Sequence, residues 1–154
     1  MKFDFLSKAI NIASSVHNYY DKGGTSYILH PIRIMMRLRT DDEELMCIAI
    51  LHDVVEDSDV SINELKGLGF SQRILSAIEL LTHRKDDSYQ DYIERIALNY
   101  DAVLIKMQDL RDNMDASRLK GVTEKDIERM AKYMRSYEYL KGIKQSFESC
   151  IHGC

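Results

Sequence analysis

Apolar residues recur three and four positions apart along almost the whole chain, and this periodicity is the strongest constraint on its fold. It places apolar side chains on one face of an α-helix. Strands half-buried in a sheet would need alternating apolar and polar residues, which are nearly absent. Proline, which interrupts helices, occurs once in 154 residues, at Pro31. The sequence therefore predicts an all-α fold.

Start signals divide the periodic stretches into about seven or eight helices. Glu64 follows Ser61 by three residues, and Asp126 follows Thr123 in the same way, a pattern typical of capped helix starts. Pro31 suits the first turn of a helix, where its missing N–H has no helical partner. The predicted helices are Asp4 to Tyr20, Pro31 to Leu38, Asp42 to Val55, Ser61 to Leu68, Ser71 to Thr82, Ser88 to Asn99, Asp101 to Ala116 and Thr123 to Phe147.

We predict one compact domain over residues 1–147, followed by a short tail at 148–154. A chain of 154 residues and 17.9 kDa is large enough for a core of its own. Its three cysteines are too few for a disulfide framework. Cys47 lies in an apolar run and is expected in the core. Cys150, Cys154 and the histidine between them offer ligands for a soft metal, although such a set at a chain end more often has no role.

Charge and hydropathy exclude several classes of function. The net charge of -4 leaves no basic surplus to neutralise the phosphates of a nucleic-acid polymer or an anionic membrane. No apolar stretch approaches the roughly 20 residues that cross a bilayer, and the first residues lack the pattern of a signal peptide. We therefore expect a cytoplasmic protein. A small phosphorylated ligand stays compatible with this charge, because local basic residues and a metal can hold it.

A cluster of ionisable residues in the apolar run Leu45–Val55 points to chemistry. His52 and Asp53 are adjacent there, and Glu56 and Asp57 follow directly. Charged groups on so apolar a segment should be paired or bound, and on one helix residues four apart share a face. A lone histidine is usually a core residue, and the last two carboxylates are equally typical of a solvated helix end. The cluster as a whole favours a metal ion.

Further ligands come from two other places in the sequence. His30 precedes Pro31 at a loop-to-helix junction, and Asp109 follows an apolar run. By composition alone, Asp112 and Asp115 compete with Asp109 as the ligand. Imidazoles with carboxylates form a mixed N/O site suited to Mn(II), Fe(II), Co(II), Ni(II) or Zn(II), and poorly suited to Cu(I).

Three ordered motifs carry a resemblance to a known family. They are Tyr27-Ile-Leu-His30-Pro31, Ile50-Leu-His52-Asp53-Val-Val-Glu56-Asp57 and Ile105-Lys106-Met-Gln-Asp109-Leu-Arg-Asp-Asn113-Met. A lone His-Asp pair is frequent by chance, whereas three motifs in order are specific. From about Ala13 to Leu140 the chain resembles the HD-domain phosphohydrolases, in the branch of the RelA/SpoT-type alarmone hydrolases and their small single-domain relatives.

The resemblance implies a helical HD domain with one divalent ion, often manganese. By their positions in the motifs, the implied metal ligands are His30, His52, Asp53 and Asp109. Glu56 and Asp57 match the family's acidic pair, which positions or activates the attacking water, and Asn113 matches an active-site asparagine. The expected activity is that of a metal-dependent phosphohydrolase acting on a small nucleotide. The favoured reaction is removal of the 3′-pyrophosphate of guanosine tetra- or pentaphosphate.

One loop departs from the pattern of the alarmone hydrolases. They carry an arginine and a lysine before the glycine ahead of the first ligand, whereas this loop reads Asp21-Lys22-Gly23-Gly24. Lys22 keeps one cation for substrate binding, but Asp21 has the charge opposite to the arginine. Two alternatives therefore stay open: another nucleotide phosphatase or nucleotidase, and a nucleotide-binding regulatory module with little turnover. The intact acidic pair argues against the second, since a binding module needs no water-activating carboxylates.

Overall fold

The computed structural model describes residues 4–153 and confirms the all-α prediction over that range. The helices are α1 (Phe5–Val16), α2 (Leu29–Leu38), α3 (Glu43–Leu51), α4 (Val54–Asp57), α5 (Ile62–Gly67), α6 (Gln72–Leu81), α7 (Tyr89–Ile96), α8 (Tyr100–Asn113) and α9 (Glu124–His152). A 3-10 turn, Ala116–Arg118, lies between α8 and α9. Pairing of extended backbone in the described residues is limited to an isolated antiparallel bridge between Tyr20 and Ser26.

Both predicted capping boxes are present. The Ser61 side chain accepts from the backbone N–H of Glu64, whose carboxylate accepts in return from the N–H of Ser61. Thr123 and Asp126 make the same reciprocal pair at the start of α9. Each pair satisfies backbone N–H groups that a helix start leaves without partners.

The prediction of one continuous helix from Asp42 to Val55 is wrong. The segment divides into α3 and α4, with His52 and Asp53 at the junction. The His52 ring donates from Nδ1 to the Ala49 carbonyl at 2.7 Å, which is the oxygen that a continuing helix would offer to the Asp53 amide. The break matters for the site, because it places the two predicted ligands at a turn.

Other helix ends also differ from the prediction, since α2 begins two residues earlier and α7 ends three residues earlier than expected. Helix α1 ends at Val16 and not at Tyr20, because the next residues enter the loop closed by the Tyr20 bridge. Helix α8 ends at Asn113, since Asp115 caps the 3-10 turn that follows. Helix α9 continues past Phe147 to His152. Residues 1–3 and Cys154, which belong to the N-terminal segment and the cysteine-containing tail considered above, lie outside the described residues.

Helix α3 is the centre of the core. It packs against α1, α2, α6 and α8, and its residues 47–51 are fully buried. Ala9 and Ala13 of α1 are also fully buried, and their small side chains allow close approach to α3. Helices α2 and α8 pack against each other as well, so α2, the end of α3 and the end of α8 meet in one region. No helix of the described chain is long and apolar enough to span a membrane.

Candidate metal centre and adjoining cavity

The side chains of the four predicted ligands converge where α2, the α3–α4 junction and α8 meet. His30 Nε2 lies 3.1 Å from Asp109 Oδ1 and 3.6 Å from Asp53 Oδ2. His52 Nε2 lies 3.2 Å from Asp53 Oδ2 and 3.8 Å from Asp109 Oδ1. The donor atoms of His30, His52 and Asp109 all fall within 4.8 Å of one another, which is close enough to surround one ion.

Both imidazoles turn Nε2 toward this cluster. His30 Nδ1 bonds Asp112 Oδ2 at 2.7 Å, and His52 Nδ1 bonds the Ala49 carbonyl at the same distance. Because these partners are acceptors, Nδ1 carries a proton in each ring, which leaves Nε2 as the nitrogen that a metal ion can bind. His52 Nε2 is buried and has no hydrogen-bond partner. A buried ring nitrogen without a hydrogen-bond partner that faces two carboxylates fits a bound cation.

The charges around Asp109 keep it ionised. Burial alone would raise the pKa of Asp109. The Lys106 ammonium and the two histidines lower it by a larger amount, so the pKa lies well below its usual range. Lys106 Nζ bonds Asp109 Oδ2 at 2.7 Å, and Asn113 Nδ2 donates to Oδ1 at 2.7 Å. Asp109 Oδ1, which accepts from Asn113 and lies near both histidines, is therefore the oxygen that faces the cluster.

The imidazoles respond to the same carboxylates. Burial disfavours their charged forms. Asp109 and Asp112 outweigh it at His30 and raise its pKa, and the negative charges of Asp53 and Asp109 hold the pKa of His52 well above its ordinary value. A proton and a metal ion compete for the same Nε2 lone pairs. The electrostatic field of the cluster therefore favours a bound positive charge, whether a proton or a metal ion.

Two tyrosines support the carboxylate side of the cluster. Tyr27 donates its hydroxyl to Asp53 Oδ2 at 2.7 Å, and burial together with Asp53 raises its pKa, so it stays a donor. The Tyr19 ring stacks on Tyr27 at a centroid distance of 4.9 Å, and its hydroxyl donates to Asp57 Oδ2 at 3.3 Å. His17 is 1% exposed beneath them, and its Nδ1 lies 3.9 Å from Asp57.

Asp112 lies behind His30 and outside the convergent cluster. Its side chain has no exposed surface. Besides His30 it accepts from Arg33 through both oxygens at 2.8 and 2.9 Å and from Arg37 at 2.8 Å. Arg118 Nη2 forms an ion pair with its Oδ2 at 3.3 Å. Asp115, the other competitor in the sequence, accepts from the backbone N–H of Ser117. The geometry therefore places Asp109, and not these two, beside both histidines.

The two members of the predicted acidic pair have different surroundings. Asp57 lies beside Tyr19 and His17, and burial, Asp53 and Glu56 raise its pKa to about 6. Glu56 Oε1 instead accepts from the backbone N–H of His83 at 2.6 Å, which ties α4 to the end of α6. The titration of Asp57 near neutral pH suits proton transfer.

A cavity of about 420 Å³ opens beside the cluster. Tyr27 and Asn113, which contact the ligand carboxylates, line its inner side, and Lys22 lies on its exposed side. The remaining lining residues are Tyr19, Tyr20, Asp21, Gly23, Asp115, Arg118, Leu119, Asp126, Arg129 and Tyr133. Tyrosine rings and basic side chains together suit a ligand with an aromatic base and phosphates.

Asp21 has a structural role in the loop at this cavity. Its Oδ1 accepts from the backbone N–H groups of Gly23 and Thr25, each at 2.9 Å. Its Oδ2 lies 3.5 Å from Arg118 Nη1. The negative charge that distinguishes this loop from the alarmone hydrolases is thus paired with an arginine of the 3-10 turn after α8.

Three of these contributors were missed by the sequence analysis. Lys106 precedes its partner Asp109 by three residues on α8, and that spacing was a usable signal. Tyr27 lies before α2 and contacts Asp53, so the spacing gave no signal for it. Arg118 carries no such signal. Its partner Asp21 is 97 residues away, and Arg118 itself lies in the 3-10 turn beyond the helix that carries Asp112.

The helical fold and the convergent histidine–aspartate cluster agree with the resemblance that the motifs carry. No family model matches the chain. A solved structure, described as a metazoan ortholog of SpoT that hydrolyzes ppGpp, superposes with a TM-score of 0.76 over 99% of this chain and 97% of that one. Its identity is 22%, so the match shows a shared fold.

The chain is also similar in sequence to proteins named as guanosine-3′,5′-bis(diphosphate) 3′-pyrophosphohydrolases. A probable guanosine-3′,5′-bis(diphosphate) 3′-pyrophosphohydrolase of Synechocystis is 33% identical over 58% of this chain and 12% of its own length. The enzyme of Aquifex aeolicus is 28% identical over 71% of this chain and 17% of its length. MESH1 of Danio rerio, with the same named activity, is 32% identical over 52% of this chain and 48% of its length. The chain thus spans less than half of each of these relatives, and the resemblance inferred from its motifs is confirmed.

Proposed function

We propose that this protein is a metal-dependent phosphohydrolase that removes the 3′-pyrophosphate of guanosine tetra- or pentaphosphate. The observation that carries the proposal is the convergence of two imidazoles and two carboxylates beside a cavity of about 420 Å³. The named activity of the relatives supports the choice of substrate. We place the activity in the cytoplasm, in keeping with a nucleotide substrate.

The proposed ligands of one divalent ion, Mn²⁺ by preference, are His30, His52, Asp53 and Asp109. Neutral imidazoles and ionised carboxylates form a donor set of intermediate hardness that suits this ion. When bound, such an ion draws charge from a phosphate oxygen and acidifies a nearby water molecule. Asn113 and Tyr27 each donate to one ligand carboxylate and so orient it.

Asp57 is the proposed acceptor of the proton from the attacking water. Its pKa of about 6 leaves it ionised at neutral pH but close enough to that pH to return the proton. Tyr19 holds the carboxylate through its hydroxyl. Glu56, the second proposed catalytic residue, acts on this step by its charge, which helps to raise the pKa of Asp57, and by anchoring α4 at His83.

Substrate binding is assigned to the cavity. Lys22 and Arg129 offer cations to phosphate groups, and Tyr20 and Tyr133 offer aromatic faces to a base. Asn113 donates to the proposed ligand Asp109 and also lines the cavity, which supports its proposed role in substrate binding.

A panel of nucleotides assayed with added Mn²⁺ tests the proposal, with phosphate and pyrophosphate measured separately. We expect guanosine tetraphosphate to release pyrophosphate, and the His52→Ala, Asp53→Ala double variant to be inactive. Release of phosphate from a different nucleotide as the preferred reaction would identify another nucleotide phosphatase. Tight nucleotide binding without turnover would identify a regulatory module.

A further inference from the structure

A chain of polar contacts runs from the cavity loop to the metal centre. Asp21 in the loop faces Arg118, with 3.5 Å between Oδ2 and Nη1. Arg118 Nη2 lies 3.3 Å from Asp112 Oδ2 and also donates to the Asp112 carbonyl. The same Oδ2 atom accepts from His30 Nδ1 at 2.7 Å. Three contacts therefore connect the loop carboxylate with the imidazole.

Arg118 differs from the other two arginines on Asp112. Arg33 and Arg37 come from α2, the helix that also carries His30, so they hold the carboxylate from the histidine's own side. Arg118 comes from the 3-10 turn after α8 and lines the cavity, and among the described residues it is the arginine that contacts both Asp112 and the loop. Its contact with the backbone carbonyl also ties down the end of α8.

We propose that Arg118 is a positioning residue that couples the cavity loop to the metal centre. Through Asp112 it holds the His30 imidazole with Nε2 toward the other ligands, and through Asp21 it makes that orientation depend on the loop over residues 21–25. The inference rests on the proposed metal site. It concerns residues that do not contact the ion.

Mn²⁺ affinity of the metal-free full chain, measured by calorimetry, tests the proposal independently of turnover. Arg118→Met should bind Mn²⁺ about tenfold more weakly, the usual lower range for a lost partner of a metal ligand. The matched control is Arg129→Met, which removes the same charge from the same cavity. Arg129 pairs with Asp126 and not with Asp112. Arg129→Met should leave Mn²⁺ affinity within about twofold of wild type. Equal losses in both variants would show a general charge effect and overturn the proposal, as would no loss in Arg118→Met.

Asp21→Asn tests the loop end of the chain of contacts. An amide oxygen can still accept from Gly23 and Thr25, while the charge that faces Arg118 is removed. We expect Mn²⁺ affinity to fall about threefold although residue 21 contacts no ligand. The double variant with Arg118→Met should be no weaker than Arg118→Met alone. Additive losses, or an unchanged affinity in Asp21→Asn, would overturn the coupling.

Circular dichroism melting curves establish that each variant is folded before its affinity is compared. If Arg118→Met does not fold, Asp21→Asn decides the question alone, and wild-type Mn²⁺ affinity in that variant contradicts the proposal. Wild-type protein that binds Mn²⁺ but hydrolyses no nucleotide would contradict the proposed function and leave these affinity comparisons valid.

Discussion

The hydroxyl of Tyr27 lies 2.7 Å from Asp53 Oδ2, the same oxygen that faces His52 Nε2 at 3.2 Å. Tyr27 precedes His30 by three residues, so the short segment 27–30, which leads into α2, supplies one proposed ligand and orients a second one from the α3–α4 junction. Hydrogen bonds of this kind fix a ligand oxygen and adjust its basicity.

Tyr27→Phe should therefore weaken Mn²⁺ binding about tenfold while leaving the fold intact. The ring that stacks on Tyr19 is kept, and the donated hydrogen bond alone is lost. Calorimetric titration of the metal-free protein measures the effect. Tyr20→Phe is the matched control, because Tyr20 lines the same cavity and is 76% exposed. Equal Mn²⁺ affinities in the two variants would contradict the role of the Tyr27 hydroxyl.

The acidic limb of the pH–rate profile should follow Asp57. Its carboxylate accepts a proton only when ionised, and its pKa is raised to about 6, so kcat should be full above that pH and fall as the pH drops through it. Asp57→Asn should lower kcat by about a hundredfold or more at neutral pH. Steady-state kinetics from pH 5 to 8 provide the measurement, and a wild-type rate in this variant would exclude Asp57 as the base.

Glu56→Gln should shift the same limb to lower pH. The Glu56 charge is one cause of the raised pKa of Asp57, after burial and Asp53, so its removal favours the ionised form of Asp57. A glutamine oxygen can still accept from the His83 N–H, which keeps the anchor of α4. A limb that stays in place, or moves to higher pH, would show that Glu56 does not tune Asp57.

Lys106→Met should destabilise the metal-free protein. The variant leaves Asp109 buried without its ammonium partner, and breaking a buried pair in this way costs about 3–5 kcal/mol of unfolding free energy. Mn²⁺ should restore more stability in the variant than it adds to wild type, since the ion replaces the lost positive charge. Thermal melts in chelator and in Mn²⁺ measure both effects, with the exposed Lys132→Met as control. Unchanged stability in chelator would contradict the pairing.

Sequence periodicity predicted the helices well, because helical spacing and capping boxes such as Ser61 with Glu64 are local. The division of one predicted helix at His52 and Asp53 was not predictable. It depends on the His52 ring taking the Ala49 carbonyl, and so on a side-chain conformation that the core imposes.

The candidate ligands could be proposed from the order of the motifs, whereas their supporting residues could not. Asp112 looked like a competitor of Asp109, because the two lie three residues apart on α8 and both contact His30. The sequence does not reveal that Asp109 faces Nε2 whereas Asp112 faces Nδ1. The pairing of Asp21 with Arg118 joins residues 97 apart in the chain and follows only from the packing of the 3-10 turn against the loop. Such contacts are set by tertiary structure and leave no local pattern.

Pyrophosphate release from guanosine tetraphosphate, followed as Mn²⁺ is titrated into metal-free protein, tests the proposed function most directly. We predict no release before the metal is added and release that saturates near one Mn²⁺ per chain, with His52→Ala, Asp53→Ala inactive throughout. Saturated Mn²⁺ binding without pyrophosphate release, or release at the same rate in chelator, would contradict metal-dependent pyrophosphate hydrolysis by this site.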